Sequence, residues 1–199
     1  MSEDDIRYAQ RLARLQRPLW KRVLRVQLPY VMNLKFLCRG PTLDVGCGIG
    51  RNLRHLPTGS LGVDPDQEAV RICQDLKLPA LTDTDFFRAQ ANNSPLLFDS
   101  LLFSHVLEHL SDRDIRAVLT KYLPSLKPGG TVVVICPQER GFQFDSTHVN
   151  WLDSSHIRSH LQSIGIRIQR DYSFPFPRVF GRFFVYNEFV VSGLRPTLA

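Results

Sequence analysis

The sequence predicts an α/β protein: a doubly wound, mostly parallel seven-stranded sheet with an antiparallel last strand, helices on both faces and an N-terminal helical extension. Three observations carry the prediction. Short apolar or β-branched runs alternate with stretches of helical period. The first run ends in a glycine-rich turn leading toward a helix, which puts close backbone approach at the carboxyl end of a sheet, where open α/β folds bind ligands. The last two runs are joined without helical pattern, through a connection rich in Pro and aromatics, which suits an antiparallel pair at the sheet's end.

Residues 3–37 read as mainly helical, broken at Pro18 and Pro29. Leu12, Leu15, Leu19, Val23 and Val26 recur at three or four residues, with Arg7, Arg11, Arg14, Arg22 and Arg25 largely on the other side. Gly40-Pro41 punctuates the chain. Thr42–Val45 is the first strand, and Asn52 onward reads as a helix. Leu61–Val63 is a second strand, Asp66–Leu76 a helix and Ala80–Thr82 a third strand, followed by a loop. Phe98–Ser104 is an apolar run of a buried strand, and Asp112–Leu126 a helix stopped at Lys127-Pro128-Gly129-Gly130. Thr131–Cys136 is β-branched and strand-like. Ser154–Ile164 is a helix closed by Gly165, and Ile166–Tyr172 and Phe184–Ser192 are the final strands.

Composition sets the class. With 199 residues, 43% hydrophobic and 22% charged, the chain is ordinary globular material long enough for one domain with its own core, which excludes disorder and a small disulfide scaffold. The net charge of +6 is not spread evenly. Residues 1–39 hold nine basic and three acidic residues, and residues 40–199 hold sixteen of each. The chain therefore divides into a basic helical extension, residues 1–39, and a neutral domain, residues 40–199. The excess invites contact with an anionic surface through residues 7–25, whereas the neutral remainder argues against nucleic acid. No run of about 18 apolar residues occurs, and the acidic start lacks the order of a secretory signal. Cys38, Cys47, Cys73 and Cys136 are scattered, as expected for reduced thiols of a cytoplasmic protein.

The informative segment is Leu43-Asp44-Val45-Gly46-Cys47-Gly48-Ile49-Gly50. Its glycines follow G-x-G-x-G. The dinucleotide fingerprint G-x-G-x-x-G fails because Arg51 stands at its sixth position, and no Gly-Lys-Ser/Thr occurs for a phosphate loop. Asp44 precedes the first glycine by two residues, and Asp64 ends the second strand, where a carboxylate can accept hydrogen bonds from ribose hydroxyls.

Leu43–Leu53 (LDVGCGIGRNL), Gly62-Val63-Asp64, Phe98–His109 (FDSLLFSHVLEH) and Leu126–Gly130 (LKPGG) resemble, in order and spacing, the successive motifs of class I S-adenosylmethionine-dependent methyltransferases, whose fold is Rossmann-like. The tail Ser173–Glu188 and Pro29-Tyr30 with Asn33-Leu34 resemble a small bacterial branch of that family with no assigned substrate. The resemblance implies S-adenosylmethionine as cofactor. It implies that Gly46, Gly48 and Gly50, with Cys47 between them, let the backbone approach the methionine part. It gives Asp44 the cofactor's ammonium and Asp64 its ribose. Asp83 and Asp85 compete for the adenine amino group. Ser104 and His105 flank the methyl group and the amino acid end.

Histidines supply the remaining candidates. His105-Val106-Leu107-Glu108-His109 fits H-x-x-E-H, but it begins straight off a buried strand instead of lying on a helix, so no metal is expected. His156 and His160 read as a solvated helix face. His148, in the loop after the fifth strand, is the candidate catalytic residue, as a base or an acceptor contact, set against a role in ordering the loop. A carboxylate acceptor needs no base; a hydroxyl acceptor would want His148 or Glu139. Trp20, Tyr30, Phe142 and Trp151 are candidate acceptor-lining aromatics that core packing explains as readily, and Arg178 is placed to face an anionic group. The expected reaction is methyl transfer to O or N of a small-molecule acceptor, possibly anionic or lipid-like. The alternatives are a methyltransferase acting on RNA or protein, and a non-catalytic partner that binds the cofactor. Lost glycines or a lost ribose acid would mark the latter, and both features are present.

Overall fold

The structure, a computed structural model, describes residues 27–92 and 95–197. The helix expected over residues 3–26, its arginines from Arg7 to Arg25 and Trp20 lie outside the described residues. The chain runs α1 (Leu28–Leu37), β1 (Thr42–Val45), β2 (Leu61–Asp64), α2 (Gln67–Asp75), β3 (Ala80–Thr82), α3 (Asp83–Asn92), β4 (Phe98–Ser104), α4 (Asp112–Tyr122), β5 (Leu126–Pro137), α5 (Glu139–Phe144), α6 (Ser154–Ser163), β6 (Arg167–Phe174) and β7 (Glu188–Leu194).

The strands form one sheet in the order β3-β2-β1-β4-β5-β7-β6. The pairs from β3 to β5 are parallel, and β7 is antiparallel to both β5 and β6. The strand order reverses between β1 and β4, and this switch point is where such sheets open a ligand crevice. Period-two alternation sends side chains to two covered faces. Leu101, Phe103, Val132 and Val134 pack with Ile115 and Leu119 of α4 and Ile157 and Leu161 of α6. Leu102, Val133, Ile135 and Val190 pack with Leu34 and Leu37 of α1. The end of the N-terminal extension is thus part of the sheet's cover, and Pro29 sits in the first turn of α1, where its missing N–H costs nothing.

Three helices begin on side-chain caps: Asp66, Ser111 and Asp153 accept from N–H groups of the first turns of α2, α4 and α6. Four expectations are corrected. The helix from Asn52 is only a 3₁₀ turn, Leu53–His55, because Pro57 holds Leu56 extended at φ −75° and ψ 157°. The loop after β3 is instead helix α3, whose start is steadied by Asp85 N–H donating to Thr82 Oγ1 at 3.2 Å. The helix expected to reach Leu126 ends at Tyr122, ahead of Pro124, and the Lys127–Gly130 segment already belongs to β5. Residues 184–187 precede the last strand, which starts at Glu188.

A buried amide holds that last connection. Asn187 Nδ2 donates to Gln138 Oε1 at 2.9 Å and Ser173 Oγ at 3.0 Å, and its Oδ1 accepts from Phe176 N–H at 3.0 Å. Gln138 Nε2 in turn donates to Ser173 Oγ and the Glu188 carbonyl. The two segments with branch resemblance meet here as well, as Tyr30 O–H donates to the Tyr186 carbonyl at 2.9 Å, and just ahead of the tail Tyr172 O–H donates to Asn33 Oδ1 at 2.5 Å. Asn187→Ala orphans several buried groups at once and is expected to cost about 2–4 kcal/mol in urea denaturation; a loss below about 0.5 kcal/mol would contradict the role given to this amide.

Candidate active site

The glycine turn is stapled to the second strand. Gly46 and Cys47 N–H both donate to the Val63 carbonyl, at 2.8 and 3.1 Å. All three glycines adopt positive φ, at +72°, +52° and +76° for Gly46, Gly48 and Gly50, which other residues adopt only with strain. Their surroundings differ. A Cβ on Gly46 would meet Val106 at 2.5 Å, and one on Gly50 would meet Leu78 at 2.5 Å. Among the described residues a Cβ on Gly48 would meet nothing within 4 Å, so of the three only this glycine borders space that they leave open. The Cys47 side chain is buried against Gly62 and leaves only its backbone to a ligand.

Two buried acids frame that space. Asp64 accepts from Gly48 N–H at 2.7 Å through Oδ2 and from Asp66 N–H at 2.9 Å through Oδ1, so it ties the turn to the loop after β2. Burial raises its carboxyl above the usual range, against those two hydrogen bonds, which lower it. Asp44 is 1% exposed, and among the described residues its Oδ2 has no hydrogen-bond partner. Burial, with the charge of Asp64 adding to it, pushes the Asp44 carboxyl up to about 8. A buried orphan acid at the head of this turn fits a cationic ligand group that would supply the missing partner. Asp83 is half-buried, accepts from Tyr122 O–H at 2.7 Å and pairs with Lys121 at 3.0 Å; its charge reaches Asp64. Asp85 is exposed and pairs with Thr82 and Arg88.

The loop after β4 closes the other side, with Val106 over Gly46. Ser104 ends β4 half-buried. His105 takes φ +57°, an uncommon conformation for a non-glycine residue, and both ring nitrogens are held, Nδ1 at 3.1 Å from Glu108 Oε1 and Nε2 at 2.9 Å from Glu188 Oε1. Burial disfavours its charge, but the two carboxylates outweigh burial and lift the imidazolium to about 10. His105 is therefore a protonated donor at neutral pH and no base. Sequence reasoning singled out His105 and missed its clamp, because Glu188 lies 83 residues away.

His148 is 8% exposed in its side chain, stacks on Phe142 with ring centroids 5.3 Å apart, and has Nδ1 2.8 Å from the Phe142 carbonyl and Nε2 4.0 Å from Glu108 Oε1. Phe142 and Trp151 continue the packing to Phe189. Arg178 does not face an open anion site: both arms engage Glu139, at 2.7 and 2.5 Å. Although burial pushes the Glu139 carboxyl up, this pairing holds it below the usual range, which removes it as a base. His156 and His160 pair separately with Asp153 and Asp112. A cleft of about 400 Å³ opens at the amino-terminal edge of the sheet, beside Phe36, Arg39, Asp99 and Arg170, and none of the residues singled out in the sequence as donor or acceptor contacts lines it.

Residues 43–132 match the profile of the methyltransferase domain family. The fold is also that of several solved structures. A SAM dependent methyltransferase from Archaeoglobus fulgidus superposes with a TM-score of 0.62 at 16% identity, over 88% of this chain and 98% of that one. The N-methyltransferase NodS from Bradyrhizobium japonicum superposes with a TM-score of 0.61 at 18% identity, over 84% and 94%. The plantazolicin methyltransferase BpumL, in complex with SAH, superposes with a TM-score of 0.60 at 16% identity, over 98% and 91%. No curated protein sequence matches the chain.

The raised Asp44 carboxyl has a signed consequence for stability. Between about pH 4 and pH 8 the unfolded chain gives up this proton while the folded chain keeps it, so stability from this group falls as pH rises and levels off above about 8. Asp44→Asn removes that slope. In urea denaturation from pH 5 to 9, the variant's stability relative to the parent is expected to grow up to about pH 8 and then flatten; parallel pH profiles would contradict the buried, protonated Asp44.

Proposed function

We propose that the chain carries a class I S-adenosylmethionine-dependent methyltransferase domain and transfers the methyl group of S-adenosylmethionine to an oxygen or nitrogen of a small-molecule acceptor. The observation that carries the reading is the buried Asp44, whose Oδ2 has no hydrogen-bond partner among the described residues, just ahead of a glycine turn in which Gly48 is open and tied to Asp64. When bound, the cofactor supplies a methyl group on a sulfonium, already activated for in-line displacement. The chain supplies position. Gly46, Gly48 and Gly50 shape the turn, and the missing side chain of Gly48 makes room for the methionine part. Asp44 takes the ammonium and gives up its proton as it does so. Asp64, whose carboxylate already orders the turn, takes the ribose hydroxyls. Asp83 is the better adenine acid, since it is half-buried within range of Asp64 while Asp85 faces solvent. Ser104 and His105 border the amino acid end.

The acceptor lies under the loops after β4 and β5 and the side of α1 that carries Tyr30. His105 is protonated and Glu139 is engaged by Arg178, so a hydroxyl acceptor leaves His148 Nε2 as the available basic atom. The N-methyltransferase among the structural neighbours keeps nitrogen among the acceptor atoms considered.

Titration calorimetry with S-adenosylmethionine tests the donor half. The parent chain is expected to bind, and Asp64→Ala to weaken binding about 10–100-fold, the worth of one or two hydrogen bonds to a charged group. Gly48→Val is expected to abolish binding. Absence of binding by the parent, or binding unchanged in Asp64→Ala, would overturn the reading. Mass spectrometry of candidate acceptors after incubation with the enzyme and cofactor then reads a gain of one methyl group.

A further inference from the structure

From the loops around the candidate active site we propose that Glu108, His109 and His148 form a site for one divalent transition-type ion of the zinc class. One ligand atom from each lies within 4.8 Å of the others. An ion bonded at about 2.1 Å would draw tetrahedral donors to about 3.4 Å apart, a small inward shift of three side chains.

The donors are prepared independently of one another. Glu108 is fully buried; its Oε1 lies 3.1 Å from His105 Nδ1, the Cys136 thiol lies against the carboxylate, and among the described residues Oε2 meets no nitrogen or oxygen partner. His148 Nδ1 lies 2.8 Å from the Phe142 carbonyl, and His109 Nδ1 lies 3.2 Å from the Thr147 carbonyl. A carbonyl opposite Nδ1 selects the tautomer with the proton there and leaves Nε2 with its lone pair. Metal-binding histidines are oriented in this way by their outer partners. The backbone enforces the meeting: the Glu108 carbonyl accepts from both Val149 and Asn150 N–H, at 2.9 and 3.1 Å, which brings the loop after β5 onto the turn after β4. The two imidazoles sit 4.8 Å apart, centroid to centroid.

The H-x-x-E-H spacing fits a metal pattern, its start straight off a buried strand argued against one, and folding changes its membership. His105 leaves the set, because carboxylates hold both its nitrogens, and His148 enters from about forty residues downstream. Two imidazoles and one carboxylate suit Zn²⁺, Co²⁺ or Fe²⁺ better than Mg²⁺, which prefers an all-oxygen shell. Three protein donors leave at least one position open. In that position the ion fits an oxygen of the acceptor, a hydroxyl or a carboxylate, and His148 becomes a ligand instead of a base. Only this last statement rests on the methyl-transfer reading.

The test uses untagged full-length protein stripped with EDTA and dialysed separately against Zn²⁺, Co²⁺ and Mg²⁺, with bound metal counted by plasma mass spectrometry. The expected result is about one Zn²⁺ or Co²⁺ per chain and no Mg²⁺, with visible Co²⁺ absorption of a four- or five-coordinate ion. His109→Gln and His148→Gln are each expected to weaken binding more than tenfold while circular dichroism shows the fold retained. The double variant His156→Gln/His160→Gln is expected to bind as the parent does. Substoichiometric metal on the parent, or loss of metal in the His156/His160 variant but not in His148→Gln, would overturn the site. S-adenosylmethionine binding measured on the same samples separates the two readings: donor binding without metal refutes the site alone, and metal without donor binding refutes the donor reading alone.

Discussion

Burying a carboxyl group without a partner costs a folded chain free energy, and at the carboxyl edge of this sheet the chain does so at Asp44. The group escapes the full cost by keeping its proton, because it lies in a dry environment beside the charge of Asp64. Much of the surrounding architecture keeps that state available. The glycine turn is fastened to β2 through the Val63 carbonyl and to Asp64 through Gly48 N–H, which prevents the turn from collapsing onto the acid. Val106 and Leu78 close the two outer glycines, so the opening is confined to Gly48. In the methyl-transfer reading proposed above, the ligand brings a positive charge to Asp44 and hydroxyls to Asp64.

The loops after β4 and β5 obey a second constraint, the pairing of His105 between Glu108 and Glu188. The left-handed backbone of His105 is held by Glu108, three residues on, and by Glu188, 83 residues away, which is how a sparsely populated conformation persists. Glu188 begins β7, whose entry is pinned by Asn187 and Gln138, and the same connector meets α1 through Tyr30 and Tyr186. The tail, the first described helix and the β4 loop are therefore joined by one chain of contacts. A change in the Pro- and Phe-rich connector is transmitted to His105 through Glu188.

Much of the fold was legible in the sequence because strands buried on both faces leave continuous apolar runs, as in Phe98–Ser104, and because Gly46, Gly48 and Gly50 admit few alternatives in their spacing. The failures have physical reasons. Pro57 cut short a helix that the pattern after Asn52 suggested, and α3 begins at Asp83 inside a segment whose motif pointed to a loop. Within the site, single residues were legible and their partners were not. Arg178 reads as a free cation until folding brings Glu139 to it from 39 residues away, and His148 reads as a lone base until the Glu108 carbonyl docks its loop. Such pairings are set by three-dimensional closure, on which local pattern carries no information. The basic charge of residues 1–39 remains a sequence observation, since most of it falls outside the described residues.

The central claim, that Asp44 is held protonated until a cationic group of the cofactor reaches it, is open to one direct measurement. S-adenosylmethionine binding is followed by calorimetry at pH 7 in buffers of different ionisation enthalpy, which counts the protons exchanged on binding. An acid with a pKa near 8 is about nine-tenths protonated at that pH, so the parent chain should release close to one proton and Asp44→Asn none. Binding with no proton release, or with equal release from the parent and from Asp44→Asn, would contradict the account.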